Sequence, residues 1–201
     1  MLLVPGFMAG DNSLAVLRGW LRRRGSLTES AGIRFNVNCS ERAMTGLQAR
    51  LQRLAARAER PVVVIGQSRG GELGRVLALR NPDTVSTLVM LGSPVRAPLN
   101  VGPGVLNAVR SVARLGDIGV PGMLTTRCAD GDCCAAFRED LLAPLPADVQ
   151  AVSIYSRSDG IVSWRACLDP CARHVEVDSS HTGMSVNRDV YRMLSEILEE
   201  A

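Results

Sequence analysis

The run Pro61-Val62-Val63-Val64-Ile65-Gly66-Gln67-Ser68-Arg69-Gly70-Gly71 decides the reading of the whole chain. Its first five residues are apolar and mostly β-branched, the composition of a central parallel strand buried on both faces. Gly66 to Gly70 then spell GxSxG, and a helix is expected over about 69–80, ending near Asn81-Pro82. Alone, such a pentapeptide is weak, because small residues meet by chance. Between a strand and a helix it marks a sharp turn with a serine at its apex. That turn forces the serine into a strained backbone conformation, and glycines two positions to either side make room for it. Gly71 and Gly74 let the following helix lie close to the sheet.

Outward from this point, strand-like and helix-like segments alternate. Met1 to Pro5 reads as a strand, and residues 12–24 as a helix capped by Asp11 or Asn12. Ile33 to Val37 is expected as the second strand. Met44, Leu47, Leu51, Leu54 and Ala58 recur at helical spacing and form the apolar face of a helix packed on the sheet. Leu88–Leu91, Val149–Tyr155 and His174–Val177 read as further strands, and Val186, Val190, Leu194 and Ile197 share one face of a C-terminal helix. Residues 93–147 are less regular, with one amphipathic helix around Val105, Val109 and Val112. The alternation predicts a single α/β domain whose mostly parallel sheet carries helices on both faces.

A chain of 201 residues with 46% hydrophobic content suits one domain with a sizeable core. No apolar run is long enough for a transmembrane helix. The first residues lack a signal-peptide pattern, which leaves cytoplasmic residence and secretion after leader removal both open. All 23 basic residues are arginine, scattered among acids for a net charge of only +3, and aromatics are 3%. That is not the clustered basic surface of a nucleic-acid binder. The absence of lysine also excludes a Schiff-base nucleophile and a Walker A phosphate loop.

Six cysteines occur as Cys39, Cys128-x4-Cys133-Cys134 and Cys167-x3-Cys171. Zinc sites favour paired CxxC motifs or added histidines, so local disulfides or small buried thiols rank ahead of metal binding. The expected bridges are Cys167–Cys171, and Cys128 with Cys133 or Cys134. No metal and no cofactor is expected.

A serine hydroxyl attacks only when a neighbouring base takes its proton. Without lysine, the base must be one of two histidines, His174 or His181. His174 lies within a strand, whereas His181 sits in Ser179-Ser180-His181-Thr182-Gly183, just past that strand's C-terminal end. Catalytic groups of parallel sheets gather at that end, which selects His181. The orienting acid is Asp159 in the turn Tyr155-Ser156-Arg157-Ser158-Asp159-Gly160. Asp178 is its rival but is too local to His181 to reach the imidazole easily. Two backbone N–H groups are needed for a developing oxyanion. They are assigned to Arg69, directly after the serine, and Phe7 in the loop Pro5-Gly6-Phe7-Met8-Ala9-Gly10, where Gly6 permits the sharp turn.

Val4-Pro5-Gly6-Phe7, Gly66-Gln67-Ser68-Arg69-Gly70-Gly71, and Ile154-Tyr155-Ser156-Arg157-Ser158-Asp159 with Ser180-His181 appear in an order that resembles the α/β-hydrolase superfamily. The chain is most similar to compact bacterial lipases and esterases. The resemblance implies an α/β-hydrolase fold with a core of six strands, no metal cofactor, and a small-molecule carboxylic ester as substrate. It departs from the usual pattern at Pro5, where His is common, at Gln67 in place of His, and at Arg69 in place of Met or Leu. Residues 93–147 are longer than a minimal lipase needs and are expected to form a partial cap. Acyl transfer or amide cleavage would use the same residues, and a non-catalytic binding protein could keep the fold.

Overall fold

The computed structural model describes residues 1–199. Six strands form one wholly parallel sheet: β1 (Leu2–Val4), β2 (Glu29–Ser30), β3 (Val62–Gln67), β4 (Val85–Leu91), β5 (Gln150–Tyr155) and β6 (Arg173–Glu176). Their spatial order is β2-β1-β3-β4-β5-β6, which places β3 and β4 at the centre. Every residue of β3 is buried, as its unbroken apolar run requires.

The strand period of two divides the core into two layers. Leu2, Val4, Val62, Val64, Leu88 and Met90 point to one face. There they meet α2 (Ser40–Ala58), α3 (Arg69–Arg80) and, beyond them, α6 (Ala135–Leu142). Leu3, Val63, Ile65, Val89 and Leu91 point to the other face, against α1 (Ala15–Arg23) and α7 (Arg188–Glu199). Residues 93–147 hold α4 (Pro103–Asp117), α5 (Arg127–Asp130) and α6.

Three local expectations are corrected. The second strand is Glu29–Ser30, not Ile33–Val37. Gly32, at φ +73°, turns the chain off the sheet edge, and Asn36 bonds to loop backbone instead. The first helix begins as a 3-10 turn at Asp11–Leu14. Its Asp11 does not cap it, because the carboxylate accepts the Gly32 amide at 2.9 Å. Val186 ends a 3-10 turn before α7 and is exposed, outside the apolar face formed by Val190, Leu194 and Ile197.

Candidate active site

Ser68 stands between β3 and α3 at φ 53°, ψ −126°, a conformation that L-residues adopt only under strain. Its amide donates to the Leu91 carbonyl at 2.8 Å, which fixes the turn against the end of β4. Glycine is required around it for clearance. A Cβ on Gly66 would lie 2.3 Å from the Gly70 carbonyl oxygen, and one on Gly70 only 2.1 Å from that of Val4. The GxSxG glycines therefore act by close approach rather than by unusual φ. Gly6 behaves likewise, since its Cβ would sit 3.3 Å from that of Ser68, while the positive φ of the 5–10 loop belongs to Met8.

The structure brings Asp159 and His181 together and leaves the rivals elsewhere. Asp159 Oδ2 lies 2.7 Å from His181 Nδ1, both residues buried. The other carboxylate oxygen accepts the amides of Ile161 at 2.9 Å and Val162 at 2.6 Å, so the acid is held by its own turn. The His181 amide returns to the Asp159 carbonyl at 3.0 Å, and the Ser156 hydroxyl accepts the amides of Ser158 and Ser179. These bonds lock the acid turn to the histidine loop. His174 instead places Nε2 2.7 Å from the Asp169 carbonyl. Asp178 is exposed, beside a surface groove lined by Arg157, Glu176 and Arg192.

The turn that carries Ser68 is tied to the histidine loop. Gln67, next to the serine, donates from Nε2 to the His181 carbonyl at 3.0 Å. Gly92, at φ +57°, packs under the pair: a Cβ there would lie 3.2 Å from both Asp159 Oδ2 and His181 Nδ1. Sequence reasoning gave Gln67 and Gly92 no role, because neither carries a recognisable spacing signal.

Phe7 and Arg69 both line the cavity beside Ser68. Arg69 begins α3, so its amide has no carbonyl within the helix. The Phe7 amide has no backbone partner among the described residues. The loop carrying Phe7 is held by buried Asn36, which donates from Nδ2 to the Pro5 carbonyl at 2.7 Å. Its backbone exchanges bonds with Met8 and Ala9. The Arg69 side chain turns from the serine to the carbonyls of Asn36 and Asn38 and the Ser40 hydroxyl.

A cavity of about 450 Å³ opens beside Ser68. Phe7, Val105, Val109, Leu124, Phe137 and Leu141 make much of it apolar. Arg69 and Glu72 give it a polar floor. Burial pushes the Glu72 carboxyl up to about 7, against the opposing pull of the Arg69 guanidinium. Residues 93–147 form the far wall and are tied down. Val101 pairs antiparallel with Val162, the Gly102 amide reaches the Ile161 carbonyl at 2.7 Å, and Leu124 bonds Val37 at 2.6 Å.

No disulfide forms among the described residues. Cys167 is buried, with its thiol toward the Ser163 carbonyl, and Cys171 is exposed, so the expected Cys167–Cys171 bridge is not made. Cys128 does lie near Cys133 and Cys134, but Cys39 joins them in a single group of four thiols.

No protein-family model and no curated protein matches the sequence. Solved structures do match in shape. The mature lipase BlEst2 of Bacillus licheniformis superposes with a TM-score of 0.74 at 13% identity, over 98% of this chain and 90% of that one. MGS-MChE2, an α/β hydrolase enzyme from a lagoon-sediment metagenome, gives 0.65 at 15% identity, over 99% and 90%. A thermophilic esterase from Thermogutta terrifontis gives 0.63 at 17% identity, over 99% and 89%. With its parallel six-stranded sheet and near-complete overlap with these structures, the chain has the α/β-hydrolase fold.

Proposed function

We propose that this protein is a serine hydrolase that cleaves small carboxylic esters through an acyl-enzyme. The observation that carries the reading is the buried Asp159–His181 pair, linked through Gln67 to the turn of a strained serine that lines an apolar cavity. In this mechanism His181 takes the proton of Ser68 as its oxygen attacks the ester carbonyl. Asp159 holds the imidazole by Nδ1, which leaves Nε2 for the serine, and stabilises the imidazolium that forms. The amides of Phe7 and Arg69 receive the oxyanion. The imidazolium returns its proton to the departing alkoxide, and the same histidine then activates water against the acyl-enzyme. The lipases and esterases among the structural neighbours agree with this chemistry, as does the apolar wall for an acyl chain. On this reading residues 93–147 act as a fixed partial cap within a single domain.

Fluorophosphonate labelling of wild type and Ser68→Ala, with aryl-ester turnover, tests the proposal. Ser68→Ala should fold, resist the probe, and lose turnover by about 10⁶-fold, as removal of such a nucleophile does elsewhere. Near-normal turnover by folded Ser68→Ala would remove Ser68 from the reaction.

A further inference from the structure

The sulfur atoms of Cys39, Cys128, Cys133 and Cys134 all lie within 4.8 Å of one another. Cys39 Sγ is 3.3 Å from Cys134 Sγ, Cys133 is 3.6 Å from Cys128, and Cys133 is 4.0 Å from Cys134. A tetrahedral zinc thiolate has Zn–S bonds of about 2.3 Å, which sets its sulfur–sulfur edges near 3.8 Å. The quartet straddles that edge length before any ion is placed. The grouping is long-range, since Cys39 and Cys134 are 95 residues apart in sequence. Local spacing therefore concealed it: three ligands come from the 93–147 segment and the fourth from the residue just before α2.

The backbone around the cluster offers the sulfur atoms N–H donors. Cys39 is the residue before α2, so the cluster faces that helix's N-terminus. The backbone at the start of α2, Ser40 to Arg42, lies beside Cys39 and Cys134. The Thr125 amide donates to Cys128 Sγ at 3.3 Å. Donors of this kind orient and stabilise metal-bound sulfur. Arg69, Cys128 and Cys134 line the same cavity, and the Arg69 guanidinium hydrogen-bonds only neutral groups, with Glu72 as its leading charged neighbour. Four thiolates around a divalent ion leave a net charge of −2, which this cation partly offsets.

We propose that Cys39, Cys128, Cys133 and Cys134 bind one zinc ion as a closed structural site that pins the cap segment to the N-terminus of α2. All four coordination positions are filled by sulfur, so the ion is not expected to take part in chemistry at Ser68. Binding displaces the four thiol protons to solvent, and uptake therefore strengthens as pH rises. Cys128 and Cys134 also line the cavity, so the ion would stiffen its wall.

The test uses the full chain purified under reducing conditions and titrated with Co(II), followed by zinc competition. The expected result is one cobalt per chain, with the intense d–d bands of tetrahedral thiolate coordination, displaced by one equivalent of zinc. Cys133→Ser should lose those bands. Cys133 is exposed, so this variant keeps the core. Cys171→Ser should retain the bands, and so should Ser68→Ala, whose result bears only on catalysis. Three results would overturn the proposal. The first is no cobalt uptake by reduced, folded protein, and the second is loss of the bands in Cys171→Ser as complete as in Cys133→Ser. The third is protein trapped from cells with a thiol-blocking reagent that carries two disulfides within the quartet and no metal.

Discussion

Asp159 Oδ2 and His181 Nδ1 are 2.7 Å apart although the residues are 22 positions apart, and both are buried. The contact joins the loops after β5 and β6 at the C-terminal edge of the sheet. It engages Nδ1, and on the proposed mechanism that leaves Nε2 for Ser68. Asp159→Asn replaces the acceptor oxygen with an amide that can favour the wrong tautomer. Turnover of an aryl ester should fall by about 10⁴-fold, with the fold retained. Asp178→Asn should change it little, because Asp178 is exposed and its carbonyl, not its carboxylate, is bonded to Asn187. Steady-state kinetics on both variants checks this, and the reverse ranking would reassign the acid.

Arg75 and Asp169 form a second buried pair, away from the proposed chemistry. Arg75 Nε is 2.5 Å from Asp169 Oδ2, and the side chains are 3% and 1% exposed. Asp169 also accepts the Cys171 amide, and the guanidinium reaches the Asp140 carbonyl at 3.3 Å. Asp169→Ala would leave a buried guanidinium without its anion, a change that costs about 3–5 kcal/mol. Urea unfolding should show that loss, and a cost under about 1 kcal/mol would mean that water reaches Arg75.

How much of this was legible beforehand depends on the range of the interaction. The positions of Ser68, Asp159 and His181 past strand ends are legible, because strand ends follow from short apolar runs. The helix over Arg69–Arg80 was readable for the same reason. The failures are long-range. Ile33–Val37 looks like a strand, but Asn36 is claimed by the Pro5–Ala9 loop. The roles of Gln67 and Gly92 depend on a histidine far along the chain. The four-thiol cluster needs Cys39, which has no cysteine near it in sequence. The Arg69 guanidinium binds loop carbonyls, and its anionic neighbour Glu72 carries no motif signal.

Glu72 makes stability depend on pH. Burial holds its folded-state pKa at about 7, above the 4.5 of an ordinary glutamate. Folding therefore favours the protonated form. The resulting stability is fully present below pH 4.5, declines as pH rises, and is lost once pH passes about 7. Glu72→Gln keeps a neutral side chain at every pH. Relative to wild type it should gain stability as pH rises from 5 to 8, by about 3 kcal/mol at the upper end. Urea unfolding of both proteins across that range gives the difference. A constant offset with no pH slope would mean that Glu72 is already ionised at pH 5.

The cavity sets the expected acyl preference. Its wall is fixed rather than sliding, because Gly102 is bonded to Ile161, Leu124 to Val37, and Arg96 to the Ala166 carbonyl at 3.0 Å. Its volume of about 450 Å³ is bounded, and Val105, Val109, Phe137 and Leu141 give it apolar sides. Each methylene that fits should contribute about 0.8 kcal/mol, close to fourfold in kcat/KM. Once the space is filled, the next carbons must leave the pocket or displace a bonded wall, and the gain stops. Arg69 and Glu72 make part of the lining polar, which further disfavours a long fatty chain. Across p-nitrophenyl esters from acetate to palmitate, kcat/KM should climb over the short members, peak at short to medium length, and fall. No jump in rate should appear when substrate passes its solubility limit. Val109→Trp should move the peak toward shorter chains by occupying the wall. A maximum at palmitate with interfacial activation would require the 93–147 segment to open, against the hydrogen bonds that hold it.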